Sequence, residues 1–416
     1  MSQPGSHHNC DIAIVGGGMV GSLLALTLAA QQQRLQQAGC QPWRITVLER
    51  SASSPQKPSA DAPLAGRTTA LSASTCQHLE QLGLWGNLQA QCAAISTIHV
   101  SERGSCGLTH LRTAENQLEA FGYVVENALL LAELRAAISA AAIDWRAPAQ
   151  VEQMVAGGEQ QRLILGDGEI AASLVVSAEG ANSALLAGLG IRSERTDYQQ
   201  QAIIANLALA QPHNGVAYER FDRAGPMALL PLTSQQGLHR TALVWTHAEG
   251  DEQRWIEASD AEFCREIERL FGERIGGVTA VGERRAFGLA LQRSSEQVRR
   301  GLVVLGNAAH ALHPVAGQGF NLSVRDVAAL AEELLRARLA GDSPSELSTL
   351  QRYQQRQQSD QQQTILFSDL LPKLFSSRLP GVAALRRSGL AAMDLLPPLR
   401  QRFAQFGMGS DRGAEQ

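Results

Sequence analysis

The segment Gly16-Gly17-Gly18-Met19-Val20-Gly21 constrains this 416-residue chain more than any other. It has the spacing G-x-G-x-x-G, follows an apolar run at 11–16, and opens Ser22-Leu-Leu-Ala-Leu-Thr-Leu-Ala-Ala30, which suits a packed helix. In such a strand–turn–helix, Gly16 makes the tight turn, Gly18 lets the backbone approach a pyrophosphate, and Gly21 lets helix and strand pack closely. The helix N-terminus then offers unpaired N–H groups and a partial positive charge to phosphate. Val20 lies inside this motif, against the same group. Glu49 ends the next apolar run, 44–49, where a carboxylate can accept both ribose hydroxyls. It comes 28 residues after Gly21, against the usual roughly twenty. A Gln-rich stretch at 31–37, read as a solvated helix extension, accounts for the excess.

Two more apolar runs, 173–178 and 301–306, complete a set of four that read as buried parallel strands. Between about 185 and 285 the texture changes. Apolar segments at 202–210, 227–232 and 241–246 are separated by polar turns, as in a mostly antiparallel sheet. Nucleotide-type motifs lie on both sides of this stretch, so it reads as a second domain inserted into the first.

Composition removes several function classes. Apolar residues make up 44% and charged residues 18%, which is globular composition. The net charge of −4 gives no electrostatic footprint for nucleic acid. Lysine occurs only at Lys57 and Lys373, which excludes a Walker-type phosphate loop and disfavours Schiff-base chemistry. Cys10, Cys40, Cys76, Cys92, Cys106 and Cys264 form no C-x-x-C pair and have no zinc-finger histidines. No metal site or disulfide framework is expected, which fits a reducing cytoplasmic compartment. No uninterrupted apolar run reaches the roughly eighteen residues of a membrane span, and the start lacks the basic region of a secretory signal.

A second constellation is Gly306-Asn307-Ala-Ala-His310-Ala-Leu-His313-Pro314-Val-Ala-Gly317-Gln318-Gly319-Phe320-Asn321. A strand end and a glycine-rich loop lead there into a long helix, whose N-terminus can hold the negative edge of a flat ring such as a flavin. A third, Ala178-Glu179-Gly180-Ala-Asn182-Ser183, follows another buried strand.

In order and spacing the three motifs resemble those of flavoprotein aromatic hydroxylases with the p-hydroxybenzoate hydroxylase-like fold. The run from His313 to Asp326 resembles the signature of the ubiquinone-biosynthesis branch. Gly66-Arg67-Thr-Thr-Ala-Leu-Ser72 and Tyr218-Glu-Arg-Phe221, the latter followed by Gly225-Pro-Met-Ala-Leu-Leu-Pro231, match the same branch. The resemblance covers roughly residues 10 to 400. It implies an α/β fold: a Rossmann-like FAD-binding domain, an inserted, mostly antiparallel substrate domain, and a helical C-terminal tail. The expected FAD-binding portions are 1–75, 106–185 and 286–350, the substrate portions 76–105 and 186–285, and the helical region 351–416.

The resemblance also implies the chemistry. FAD is reduced by NAD(P)H, reacts with O2 to give a C4a-hydroperoxide, and hydroxyl passes to an electron-rich phenol. Gly317, Gly319, Phe320 and Asn321 would hold the isoalloxazine, with Pro314 beside the reacting edge. Arg67 would sit near the ribityl chain or ring edge, and Asn127 would contact the cofactor. Glu179-Gly180 and Gly306-Asn307 would complete the cofactor site. With one dinucleotide fingerprint in the chain, NAD(P)H would dock in a surface groove. No residue is assigned as a base toward the phenol; His310 and His313 are read as shaping the loop.

The chain departs from the family pattern in three respects. Asn307 stands where Asp usually binds the ribityl chain, Glu179 replaces the Asp of Asp-Gly and Leu186 its downstream Arg, and Ser323 replaces a signature Gly. The substrate class implied is a lipophilic prenylated phenol. The tail at 366–406 combines large apolar residues with Arg378, Arg386, Arg387, Arg400 and Arg402. It reads either as a helical cap on the body or as a face for a membrane surface, a quinone-biosynthesis complex or a second copy. The first would keep the protein cytoplasmic, the second peripheral on the inner face of the membrane. Rival readings are a soluble-phenol monooxygenase, a non-hydroxylating FAD reductase of the same fold, and a non-catalytic FAD-binding subunit.

Overall fold

Ile12, Ala13 and Ile14 form an unbroken apolar run because their strand, His8–Val15, is covered on both faces. It pairs in parallel with Ile45–Leu48 on one side and Gly168–Ser177 on the other. Leu302–Val304 and Asp144–Arg146 extend the parallel set outward. Thus all four apolar runs stand together, as an α/β fold requires. The computed structural model describes residues 8–53, 61–102, 108–116, 118–222, 225–314 and 317–376.

Among these residues, eight strands form this first sheet, nine form a second, and three form a small third. Helix Met19–Ala30 buries Gly21 through Leu28 and packs on Asn127–Ala140 and Gln318–Leu339. Its interior is apolar nearly all round, as expected for a helix enclosed by others. The Gln-rich stretch forms the short helix Gln32–Gln37. It is not merely solvated: Leu35 is buried, and the Gln32 amide clamps both the N–H and the carbonyl of Trp43.

The second sheet is mostly antiparallel. Its centre is Ser193–Leu209, flanked by His239–Ala248 and Arg285–Ser294. Gly225–Pro231, Val216–Asp222 and Thr97–Glu102 continue it outward. Leu108–Arg112, expected from sequence in a FAD-binding portion, instead pairs with Thr97–Glu102 in this sheet. Helix Asp260–Phe271 covers one face through Phe263, Ile267 and Phe271. The other face turns toward the first sheet. A buried ion pair, Arg240 to Glu126 at 2.8 Å, ties the second sheet to the small third one.

The last helix among the described residues, Leu347–Ser376, begins the region expected from sequence to be helical. It packs on Gln318–Leu339, with Leu350 and Tyr353 fully buried. Gln357 and Gln361 are buried too, because Gln361 donates to the buried Asp326 carboxylate. The arginines from Arg378 onward, and the apolar residues from Leu379 to Phe406, lie outside the described residues. Among the described residues no helix is long and apolar enough to cross a membrane. Burial pushes the Cys10 thiol up to about 11 and those of Cys76 and Cys92 to about 12, so these thiols stay protonated. Cys106 lies outside the described residues.

Candidate active site

A cavity of about 690 Å³ lies where the first sheet's glycine turns meet the open face of the second sheet. It gathers Gly18, Val20, Arg67, Asn127, Gly180, Gly306, Asn307, Pro314, Gly317, Gly319, Phe320 and Asn321. These come from segments up to about 300 residues apart in the chain. Gly16, Gly21, Glu49 and Glu179 do not line it.

The dinucleotide turn explains two of the exceptions. Gly16 has φ +106°, and a Cβ there would sit 2.6 Å from the Ala178 carbonyl oxygen. A Cβ on Gly21 would strike the Gly16 carbonyl. Both positions are closed by the protein itself. Gly18, the N-cap of Met19–Ala30, is the opposite: a Cβ there would meet nothing within 4 Å. The helix N-terminus therefore opens onto free space with its first N–H groups available, as a pyrophosphate requires.

Glu49 sits half-buried at the end of its strand. One carboxylate oxygen accepts from the Gly17 N–H at 2.7 Å and the other from Ser51 N–H at 2.8 Å. These bonds fix the carboxylate and leave further lone pairs for ribose hydroxyls. Beside it is a residue that sequence reasoning missed. Arg135 lays its guanidinium over the Trp145 ring, 3.1 Å from the centroid, and its Nη1 is buried with no hydrogen-bond partner. Burial pushes its pKa down while the Glu49 charge pushes it up. An orphaned donor beside the Glu49 carboxylate suits an adenosine-diphosphate group. Nothing in the sequence around Arg135 marked it, since it occupies an ordinary helical position.

At the other end, Gly317 has φ +59° and caps helix Gln318–Leu339, so that helix also points its N-terminus at the cavity. A Cβ on Gly319 would meet open space. Asn321 acts differently from a ring contact. Its Oδ1 accepts from Ser72 N–H and Thr75 Oγ1, each at 2.8 Å, and its Nδ2 donates to the carbonyls of Ala70 and Gly317, each at 2.9 Å. All four bonds are internal, so the side chain staples the loop to strand Thr68–Ser72. Asn127 accepts from Thr69 Oγ1 at 2.7 Å, and its N–H donates to the Arg67 carbonyl. The exposed Arg67 guanidinium stands over Phe287 at 5.8 Å.

Glu179 is exposed and takes a 2.5 Å hydrogen bond from Ser183, away from the cavity, while Gly180 lines it. Leu186 packs in the core beneath. Ser323 is 1% exposed rather than facing solvent, and its hydroxyl donates back to the Gly319 carbonyl. That bond satisfies the added oxygen. His313 is buried, with its pKa pushed down to about 4, and its ring meets Tyr198 edge-on. His310 is wholly buried against Asp326.

Residues 9–368 match the family model described as FAD binding domain. The chain is 33% identical to ubiquinone hydroxylase UbiL of Rhodospirillum rubrum, covering 96% of this chain and 90% of that protein. It is 32% identical to 3-demethoxyubiquinol 3-hydroxylase of Escherichia coli, covering 96% and 98%. The chain belongs to the FAD-binding ubiquinone-biosynthesis hydroxylases. Among solved structures, p-nitrophenol 4-monooxygenase PnpA from Pseudomonas putida aligns with a TM-score of 0.75 over 98% of this chain and 100% of that one. At 17% identity that likeness speaks to the fold alone.

As a member of this family the hydroxylase is a flavoprotein monooxygenase, and NAD(P)H and O2 are the family's standard reductant and oxidant. The residues present fit FAD: an open glycine turn, a fixed carboxylate, an unpaired guanidinium donor and a second helix N-terminus. Asn307, which lines the cavity, would offer a ribityl chain an amide oxygen in place of a carboxylate, a difference of about 1 kcal/mol. Beyond the loop before helix Gln318–Leu339 the cavity wall is mostly apolar, with Ile98, Val100, Leu111, Phe121, Phe221, Leu230 and Val244, and is interrupted by Asn206, Glu219 and Thr246. Phe367 closes it from the last helix.

Proposed function

We propose that this hydroxylase oxidises the ring of a prenylated phenol of the 2-octaprenyl-6-methoxyphenol type, using FAD, NAD(P)H and O2. The observation that carries this reading is the continuity between the flavin loop and the apolar wall in one cavity. Gly317, Gly319 and Pro314 stand at one side of that space and the aliphatic and aromatic wall at the other, so a ring can reach the flavin while its apolar substituent stays dry. Bound FAD supplies the oxygen-activating chemistry. The chain's share is to bind and orient it, through Glu49 and Arg135 at one end and the helix at Gln318 at the other. The wall also excludes water, which suppresses wasteful decay of the activated cofactor.

The prenyl tail implies a membrane-resident substrate. The reading therefore includes a peripheral role for the C-terminal region at the inner face of the membrane, by direct lipid contact or through a quinone-biosynthesis complex. Leu366 and Leu370, 55% and 51% exposed on one helix face, lie at the start of that region. Each buried CH₂ contributes about 0.8 kcal/mol to such contact.

The test is the visible spectrum of the purified protein. Oxidised flavin bands that bleach with NAD(P)H under anaerobic conditions support the reading. A colourless protein that fails to take up added FAD contradicts it.

A further inference from the structure

The hydroxylation proposed above needs an electron-rich ring, and a phenol is far more nucleophilic once its proton is gone. We propose that Glu219 takes the phenolic proton of the substrate and, by holding that oxygen, fixes which ring carbon faces the flavin loop. This assignment rests on the ring-hydroxylation reading.

The geometry comes from strand alternation. In Val216–Asp222, Ala217, Glu219 and Phe221 turn to the cavity. Tyr218 and Arg220 turn the other way, where the Tyr218 hydroxyl donates to the Arg274 carbonyl and Arg220 donates to Ser101 Oγ. Register then places Glu219 between Val100 on one neighbouring strand and Ala228 on the other. Neither can donate a hydrogen bond from its side chain. Among the described residues no ion pair or hydrogen bond holds the Glu219 carboxyl, and it is the only carboxylate lining the cavity.

A carboxylate in an apolar wall is costly unless something pairs with it. Here the wall supplies no partner, so the structure keeps the group for an incoming donor. Burial alone pushes its pKa up to about 8. That is within about two units of an ordinary phenol near 10, so the transfer is uphill by only about 10²-fold, far less than to an ordinary carboxylate. The other ionisable side chains lining the cavity are poorer bases. Arg67 is a guanidinium, and His313, depressed to about 4, is a weak proton acceptor. From the two neighbouring strands only Ile98, Val100, Pro226, Ala228 and Leu230 face the cavity, so no other titratable group adjoins Glu219 there.

The step balances without a co-reactant. The phenolic O–H bond breaks, its proton bonds to a Glu219 oxygen, and the electron pair stays on the phenolic oxygen. After oxygen transfer the ring carbon loses its hydrogen as a proton, which is taken up by the second atom of O2 on its way to water, and the phenolic oxygen recovers its proton from Glu219.

The test compares the holoenzyme with Glu219→Gln and Glu219→Asp on a short-chain ortho-prenylphenol. It measures hydroxylated product, peroxide release and the pH profile of kcat/KM, with the flavin spectrum as the check on folding. The wild type should rise with pH and level off above about pH 8. Glu219→Gln should lose that rise and about 10²-fold in kcat, oxidise NAD(P)H with peroxide release, and keep a normal flavin spectrum. Glu219→Asp should keep the pH-dependent rise at a lower rate. A Gln variant with wild-type rate and an unchanged profile overturns the assignment and leaves the hydroxylase reading standing. A wild type that hydroxylates no phenol overturns both.

Discussion

His310 Nε2 lies 2.7 Å from Asp326 Oδ2, and neither side chain reaches solvent. The other Asp326 oxygen accepts from Gln361 at 2.9 Å. One carboxylate thus joins the loop after Leu302–Val304, helix Gln318–Leu339 and the last helix. Replacing Asp326 by Ala would leave His310 and Gln361 without this partner, at about 2–3 kcal/mol. Asp326→Ala should therefore melt several degrees lower and release flavin more readily, while Asp326→Asn should sit between the two. Equal melting temperatures and flavin contents for Asp326→Ala and wild type would show that this link does not organise the loop.

The two glycines of the dinucleotide turn should fail in different ways. Gly18→Val adds a side chain to open space, so the protein should fold with a near-normal melting temperature for the apo form and bind no FAD. Gly21→Val drives a side chain into the Gly16 carbonyl, so it should fold poorly with or without FAD. Flavin content and circular dichroism of the two variants separate these outcomes. Normal flavin content in Gly18→Val would refute the pyrophosphate placement.

What could be read from the sequence, and what could not, follows from how each residue acts. Gly16, Gly18 and Gly21 act through their own backbone and next-turn contacts, so their spacing is visible within six positions. The four runs read as buried parallel strands because they are too apolar for any site but a covered sheet, while their order in that sheet comes from the fold alone. Glu219 and Phe367 reach the cavity, and Arg135 reaches Trp145 and Glu49, only through long-range packing and strand register. Glu219 was visible as part of a motif, but which way it faced depended on register with Val100 and Ala228. Gln357 and Gln361 are polar in the sequence and buried in the fold, Gln361 against the Asp326 carboxylate. Asn321 was expected to hold the ring, and its amide is wholly used in holding the loop to strand Thr68–Ser72.

Acid should weaken the fold through three histidines. Burial is the main cause that lowers His99, His247 and His313 to about 4 each. Unfolded, they would titrate near 6.5, so between about 4 and 6.5 the unfolded chain binds more protons than the folded one. Their contribution is full above about 6.5 and is lost as pH falls through that window. The melting temperature should drop across it, and His247→Gln should flatten the drop. An identical pH profile for that variant would contradict the assignment.

Removing the residues after Ser376 should leave the described fold intact, because Thr364, Phe367 and Ser368 remain in place. The shortened enzyme should retain flavin, lose co-sedimentation with anionic liposomes, and turn over short-chain phenols far better than long-chain ones. Basic residues near such a surface contribute about 1 kcal/mol each. Undiminished liposome binding and long-chain turnover would remove the membrane role from this region.

The most direct test follows the oxygen atom. Purified protein with FAD and NAD(P)H is given an ortho-prenylphenol under isotopically labelled O2, and the product is examined by mass spectrometry. The cavity's union of flavin loop and apolar wall should yield a hydroxylated phenol carrying one labelled oxygen, with NAD(P)H consumed in equal amount. Reduction of the flavin that ends only in peroxide with every phenol offered, or product oxygen drawn from water, would contradict the assignment of this chain as a ring hydroxylase.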